Sequence, residues 1–270
     1  LENHNYSKII VPHFICKDIF EPIRRSGIEY KLYCIDENMM PRIEKVKRGE
    51  ILLYVNYFGV CDKLVESIIL KYKEVIIDCS QAFFFKPSKK IPAIYSPRKF
   101  YGLPDGGFLY SSKKIDAPFK QSKSNHRFKH LLKKTEDSID NGYEDFKMNE
   151  LLFENYEIER MSFLTESLLK AQNHSDVIKS RVKNFNYYHE KLEKFNEFSI
   201  ILNKTNGICP LSYPFFSTRA NEIKNHLIGK GVFTPTYWHN KKSLNNECFG
   251  NKLSEFLIHL PINQELNNEN

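Results

Sequence analysis

The six cysteines of this chain include no closely spaced CxxC pair, and its histidines, among them His13, His126, His130 and His239, form no cluster. A zinc site or any other metal site is therefore not expected. No segment approaches about 18 consecutive apolar residues, and no signal-peptide pattern opens the sequence, so we predict no membrane partner. We expect reduced cysteines, several of them small core residues, in a soluble cytoplasmic protein.

Composition and charge narrow the class of protein further. The 270 residues are 41% hydrophobic and 27% charged, which is typical of a globular protein with one large domain or two modest ones. The formal net charge of +7 could suit nucleic acid, but the lysines are scattered and interspersed with Glu and Asp. We therefore expect no nucleic-acid partner.

The first part of the chain, to about residue 115, alternates short apolar runs with amphipathic stretches. "KIIVPHF", "EYKLYCID", "EILLYVNYFG", "EVIIDCS", "IPAIYS" and "GGFLYSS" are typical of strands, and "CKDIFEPIRRSG" and "CDKLVESIILKYK" are typical of helices. Strands rich in β-branched residues and separated by helices predict an α/β fold with a mostly parallel sheet flanked by helices. Ligands gather at the carboxyl ends of such strands, where Asp78 ends one of them.

The remainder of the chain changes character twice. Residues 120–195 carry helical periodicity in "HRFKHLLKKTEDSID", "FKMNELLFENYEIERMSFLTESLLKAQ" and "SDVIKSRVKNFNYYHEKLEKF". From about residue 196, runs such as "YPFFS", "ANEIKNHLIGKG" and "EFLIHLP" predict a smaller α+β domain. We place a large domain at 1–172 and a small C-terminal domain at 173–270.

The stretches "VIIDCSQA" and "YSPRKFYGLPDGG" carry the candidate chemistry. Asp78 ends an apolar strand, and Lys99 follows after one further strand, so the two side chains can face one crevice. Pyridoxal phosphate requires such a pair, because a lysine amine bonds its carbonyl carbon and an acid partners its pyridine nitrogen. Ser96 could bind the phosphate. The alternative is structural: Asp78 caps a helix, Lys99 is solvated, and Gly106 and Gly107 form a turn.

The order of these residues resembles the DegT/DnrJ/EryC1/StrS family of pyridoxal-phosphate-dependent aminotransferases, which have the fold-type-I architecture. The family pattern is a strand ending in Asp, a nearby Gln or His, then a Ser before a Lys and a Gly-Gly pair after it. This chain supplies that order in Asp78, Gln81, Ser96, Lys99 and Gly106-Gly107. The stretches "IIVPHFIC", "RMSFLTESLLKAQ", "RVKNFNYYHEKL", "YPFF", "GKGVFTPTYW" and "LIHLPI" extend the resemblance over about residues 8–264.

The resemblance implies roles for the site residues. Lys99 would form the covalent bond to the cofactor and shuttle protons, Asp78 would keep the pyridine nitrogen protonated, Gln81 would contact the ring hydroxyl, and Ser96 would contact the phosphate. At the ring-stacking position this chain offers Cys16, with Phe14 nearby. Arg98 is either an extra phosphate ligand or a solvent-facing side chain, and we favour solvent.

The resemblance also implies the activity. An amino acid, in the first instance glutamate, would give its amino group to a keto sugar on a nucleotide carrier, in cell-surface polysaccharide or related biosynthesis. The family's phosphate-binding helix start would lie before Leu1. We therefore expect either a piece of a longer enzyme, or a non-catalytic or truncated relative that keeps the fold and binds the cofactor weakly.

Assembly is the last expectation. Fold-type-I enzymes build each site from two subunits, so the resemblance implies a homodimer. Phe83, Phe84 and Phe85 are consecutive and cannot all face one side of a single strand. At least one needs other cover, either from a second subunit or from the helical region of the same chain.

Overall fold

A computed structural model describes residues 6–112, 115, 117–137, 139–152, 157–199, 202, 209–238 and 248–266. The first part of the chain forms a sheet of six strands: β1 Lys8–Pro12, β2 Glu29–Tyr33, β3 Glu50–Val55, β4 Val75–Cys79, β5 Ala93–Tyr95 and β6 Phe108–Tyr110. Their spatial order is β2-β1-β3-β4-β5-β6. Neighbouring strands are parallel from β2 through β5, and β6 is antiparallel to β5. The predicted mostly parallel α/β sheet is confirmed.

Strands β1, β3 and β4 form the centre of the sheet because nearly all of their residues are apolar. In β3, Ile51 to Val55 are all buried, and in β1 the buried run extends from Ile9 to Pro12. Strands covered by other elements on both faces read as such continuous apolar runs, without polar alternation. The core therefore lies on both sides of these strands.

Eight α-helices are present in the described part of the chain. They are α1 Phe20–Arg25, α2 Asp62–Lys71, α3 Lys129–Glu136, α4 Ile139–Leu151, α5 Phe163–Lys170, α6 His174–Leu192, α7 Ala220–Gly229 and α8 Phe249–Phe256. Helix α1 connects β1 to β2, and α2 connects β3 to β4, because adjacent parallel strands need a crossover connection. Gly27, at φ 68°, follows the end of α1 and provides the left-handed residue that such an end favours.

The helical periodicity predicted through 146–172 is interrupted in the structure. Helix α4 ends at Leu151, and α5 begins only at Phe163. Ser162 has extended backbone angles and accepts a hydrogen bond from the Thr165 amide at 3.1 Å, which starts a new helix. Before it, Arg160 exchanges backbone hydrogen bonds with Lys120 and Ser122. The chain at 160–162 is thus extended, although its apolar spacing suits a helix.

The C-terminal part is the predicted small α+β unit. Strands β7 Tyr213–Phe216 and β8 Leu257–Leu260 form an antiparallel pair, and all their residues are buried. Helices α7 and α8 precede and support β8. The expected domain boundary at 172/173 coincides with the short connection between α5 and α6 and stays a prediction.

A disulfide corrects the expectation that all cysteines are reduced. Cys34, just after β2, is bonded to Cys248, which directly precedes α8, with 5.2 Å between their Cα atoms. The two positions are 214 residues apart, so the pairing depends on how the C-terminal unit packs on the sheet. Cys16, Cys61, Cys79 and Cys209 are free thiols, and the last three are buried, as predicted for core cysteines.

The three consecutive phenylalanines follow β4 in a turn and are covered from within the chain. Phe85 is buried, and the rings of Phe83 and Phe84 contact those of Phe100, Tyr101 and His174. The second alternative, cover by the helical region of the same chain, therefore applies to these phenylalanines, since His174 is the first residue of α6. No helix in the described ranges is long and apolar enough to cross a membrane.

Candidate functional site

The carboxyl ends of β3, β4 and β5 bring the candidate residues to one edge of the sheet. Val55 pairs with Asp78, and Cys79 pairs with Tyr95, so Asn56, Ser80 and Ser96 all follow strand ends at that edge. Asp78 is 7% exposed, and its Oδ1 accepts the Ser80 amide at 2.8 Å. The carboxylate is thus desolvated and held by a backbone donor.

Lys99 ends a short 3₁₀ turn, Pro97–Lys99, that follows β5. Its Nζ donates to Ser80 Oγ at 3.3 Å. Crowding by surrounding protein lowers the pKa of Lys99, and the Asp78 carboxylate acts in the opposite direction. Lys99 is nevertheless exposed to solvent, and water screens both of these electrostatic effects. The structure therefore places Lys99 and Asp78 at one site, with Ser80 between them.

Gln81 directly follows Ser80 in the chain and is fully buried. Its Oε1 accepts the backbone N–H of Phe58 at 2.9 Å. Its Nε2 is buried and has no hydrogen-bond partner among the described residues. An amide donor without an acceptor is costly in a protein interior, and a ligand acceptor would satisfy it.

The two candidates for ring stacking lie in different surroundings. Phe14 is 1% exposed, stacks on Tyr57 with 5.7 Å between ring centroids, and has Trp238 against its edge. Cys16 is half-buried, and its thiol is close enough to Lys99 to influence the lysine's pKa. Its Sγ donates to Asp18 Oδ2 at 3.2 Å, and burial raises the thiol's pKa. Cys16 is thus the candidate beside Lys99, and Phe14 lies in the core behind it.

Ser96 and Arg98 flank Pro97 in the turn that carries Lys99. Ser96 is half-buried, and its side chain does not cap the turn. Arg98 forms an ion pair with Glu150 of α4, so the expectation of a solvent-facing arginine is wrong. The Arg98 guanidinium lies against α4 because the Glu150 carboxylate attracts it. The ion pair anchors the Lys99 turn to this helix.

The glycine turn after Lys99 docks against the start of α5. Buried Asp105 accepts hydrogen bonds from Thr165 Oγ1 and, at 3.4 Å, from Ser162 Oγ. Gly106 has φ 105°, and a Cβ there would lie 2.9 Å from Met161 Cε. Glycine is required at this position by both backbone angle and space. Pro104-Asp105-Gly106-Gly107 is therefore a structural support for the Lys99 segment.

Sequence reasoning missed two residues of the site. Ser80 contacts Lys99 and Asp78, and Phe58 contacts Gln81, although neither was a candidate. The place of Ser80 between Asp78 and Gln81 was a usable signal. Phe58 gave none, because an aromatic residue after a strand predicts core packing.

Two other features do not mark a site. The described residues contain no group of three or more His, Cys, Asp or Glu side chains that could hold a metal ion, and His239 lies outside them. A shallow groove runs along α6, lined by Ile178, Val182, Asn186 and Glu190. The groove lies on α6, whereas Lys99 follows β5, so the groove does not mark the candidate site.

Comparison with known proteins bears on the fold. No protein-family model matches the chain, and no curated protein matches it in sequence. Solved structures do match: a DegT DnrJ EryC1 StrS aminotransferase from Brucella abortus is similar at 15% identity and a TM-score of 0.62, covering 98% of this chain and 76% of that one. Helicobacter pylori PseC, an aminotransferase involved in the biosynthesis of pseudoaminic acid, is similar at 14% identity and 0.61, covering 98% and 77%.

A third structural neighbour was solved in its PLP form. The PLP form of Spr1654 from Streptococcus pneumoniae is similar at 14% identity and a TM-score of 0.62, covering 97% of this chain and 77% of that one. At these identities the likeness establishes the fold. The resemblance to DegT/DnrJ/EryC1/StrS proteins seen in the sequence is confirmed at that level.

Proposed function

We propose that this protein is a pyridoxal-phosphate-dependent aminotransferase acting on a sugar. The observation that carries the proposal is the placement of Lys99 beside Asp78 and Ser80 at the carboxyl edge of the sheet. Gln81, which directly follows Ser80, adds a buried Nε2 that has no partner among the described residues. These residues fit the cofactor because they offer an amine, a buried carboxylate and an amide donor. When bound, pyridoxal phosphate supplies an electrophilic carbonyl carbon and an electron-accepting ring.

Each residue has a task that its surroundings support. Lys99, with its pKa lowered, holds more neutral amine than a solvated lysine and can attack carbon or move a proton at Nζ. Ser80 Oγ orients that amine. Asp78, kept in place by the Ser80 amide, provides negative charge for a protonated ring nitrogen. Ser96 is the proposed phosphate contact, and Cys16 the proposed neighbour of the ring face.

The substrates are proposed by analogy with the structural neighbours. PseC acts in the biosynthesis of pseudoaminic acid, and a further neighbour, CalS13 from Micromonospora echinospora, is a sugar aminotransferase. We extend this to an amino-acid donor, glutamate in the first instance, and a keto sugar on a nucleotide carrier. Polysaccharide biosynthesis and a cytoplasmic location belong to the same proposal.

A homodimer is supported by exposed apolar side chains on the α3–α4 hairpin. Leu132, Tyr143, Phe146, Met148 and Leu151 are each 40% to 60% exposed. Exposed apolar patches mark contact sites in many proteins. We propose that a second copy covers them, and light scattering tests it: the chain mass is 31.9 kDa, and the dimer has twice that.

The cofactor assignment is tested by titrating purified protein with pyridoxal phosphate and recording the absorption band of lysine-bound cofactor against a blank of free cofactor at the same concentration. The wild type is expected to develop a saturable band, and Lys99→Ala to lack it. Lys89→Ala, on the exposed segment before β5, is the matched control and should behave as the wild type. A band retained in Lys99→Ala contradicts the assignment. Saturation only at millimolar cofactor, with no amino transfer from glutamate, favours the weakly binding relative instead.

A further inference from the structure

The turn Tyr57–Gly59 after β3 has an unusual backbone. Phe58 adopts φ 59° and ψ 8°, which lies in the left-handed region of backbone conformation. Residues other than glycine and asparagine seldom adopt this conformation. Its side chain is fully buried against Phe14, Phe198 and His259. A buried aromatic residue held in this conformation indicates that the surrounding structure fixes it there.

Contacts on both sides hold the turn. Leu211 donates its amide to the Phe58 carbonyl at 2.8 Å, which ties the turn to the segment before β7. Gly59 packs so closely that a Cβ would lie 2.7 Å from the Gln81 carbonyl oxygen and 3.1 Å from that of Cys209. On the other side, the Phe58 N–H points at Gln81 Oε1.

The Phe58 contact decides which way the Gln81 amide faces. A backbone N–H can only donate, so the amide must present its oxygen to Phe58 and its nitrogen to the opposite side. Reversing the amide would set two donors against each other. The left-handed conformation of Phe58 is what directs its N–H at Gln81, and the nitrogen left over is the one without an acceptor.

We infer that Phe58 is a positioning residue for the candidate site: its backbone turns the Gln81 amide so that Nε2 donates to an acceptor oxygen of the bound cofactor. This inference rests on the proposed function and adds a residue to it. Phe58 does not itself touch the ligand. The left-handed backbone of Phe58 thus orients the Gln81 Nε2 donor before the ligand binds. The Gln81 side chain therefore does not have to change its rotamer on binding.

The test compares Phe58→Leu with Phe58→Ile. Both variants lose the same ring contacts and have the same volume, but β-branched isoleucine is much less compatible with the left-handed region. We expect pyridoxal phosphate to bind Phe58→Ile about fivefold to tenfold more weakly than Phe58→Leu, which corresponds to the loss of one hydrogen bond. Equal affinities overturn the inference.

A double-mutant cycle asks whether the effect passes through Gln81. With Gln81→Leu added to both variants, the difference between leucine and isoleucine at position 58 should disappear. A difference that persists undiminished shows that Phe58 acts through general packing and overturns the inference. If the wild type itself fails to bind the cofactor, the proposed function fails, and that outcome is distinct from both results.

A measurement on cofactor-free protein remains informative even if Phe58→Ile does not fold. Amide hydrogen exchange at Phe58 should be slow in the wild type and markedly faster in Gln81→Leu, because the side-chain acceptor is gone. Tyr57 and Val60, which flank the contact, serve as internal controls for global unfolding. Equal exchange at Phe58 in both proteins overturns the inference.

Discussion

His259 on β8 is a fully buried histidine whose surroundings suit only the neutral ring. Its Nδ1 lies 3.0 Å from Ser212 Oγ, and Tyr237 packs edge-on against it. Burial lowers its pKa from 6.5 to about 3, with nearby Lys224 adding to the effect. In the unfolded chain the ring binds a proton at a higher pH than in the folded protein. Stability is therefore lost as pH falls below about 6.5.

We predict that His259→Asn flattens this acid sensitivity. Asparagine offers an oxygen where Nδ1 meets Ser212 but does not titrate. The wild type should lose about 2 kcal/mol more unfolding free energy than the variant between about pH 6.5 and 4.5. Urea unfolding across that range measures it, with the exposed His126→Asn as control. Parallel pH profiles for wild type and His259→Asn would contradict the assignment.

At the level of single residues, the sequence was informative where a residue type is rare in its setting. An aspartate ending an apolar strand and a lysine after the next one could be found in this way, and the structure brings them together. Ser80 and Phe58 could not, because their importance depends on a side-chain contact and on a backbone angle. Neither is encoded in a local pattern.

The turn that links the Lys99 segment to α5 gives a prediction at the level of elements. Gly106→Ala places a Cβ against Met161 and forces alanine to φ 105°, whereas a Cβ at Gly102 meets nothing within 4 Å. We expect Gly106→Ala to lower the unfolding free energy by about 1–3 kcal/mol and Gly102→Ala to change it by under about 0.5 kcal/mol. Thermal and chemical unfolding of the two variants measures this difference.

Equal stability of the two alanine variants would show that the turn relaxes freely and does not support the site. A loss confined to Gly106→Ala, accompanied by weaker cofactor binding, would show that docking of the turn on α5 also positions Lys99.

The strands of the sheet and the helices between them were predictable because each has a pattern of apolar residues that is visible within its own segment of sequence. The extended segment at 160–162 was not, since its residues suit a helix and Arg160 forms long-range backbone hydrogen bonds with Lys120 and Ser122. Tertiary contacts outweigh helix propensity in such a segment. The same holds for Arg98, whose partner Glu150 lies on a helix far along the chain.

The Cys34–Cys248 disulfide joins the large sheet to the C-terminal unit, and its effect belongs to the whole molecule. Local spacing patterns in the sequence do not reveal such a bond, because the two cysteines lie 214 residues apart. A loop of this length is strongly restricted in the unfolded chain when the bond is closed. Close to the bond in sequence, Gly250 of α8 packs directly on Phe14 in the core.

We predict that reduction with dithiothreitol destabilises the wild type by about 3–5 kcal/mol in unfolding free energy. Cys248→Ser should unfold at the lower value with or without reductant. Cys209→Ser, a buried thiol outside the bond, is the control and should keep its response to dithiothreitol. Identical unfolding of the wild type under both conditions would mean that the bond does not form in solution.

The most direct test of the site is the chemical identity of the lysine that the cofactor modifies. Protein is incubated with pyridoxal phosphate across a pH series and reduced with borohydride, and the modified peptides are mapped by mass spectrometry. Because the pKa of Lys99 is lowered, we predict that modification concentrates on Lys99 and is half-maximal at a pH below 10.5, the ordinary lysine value. Modification spread over surface lysines, or an unchanged map in Lys99→Arg, would contradict the assignment of Lys99 as the cofactor lysine.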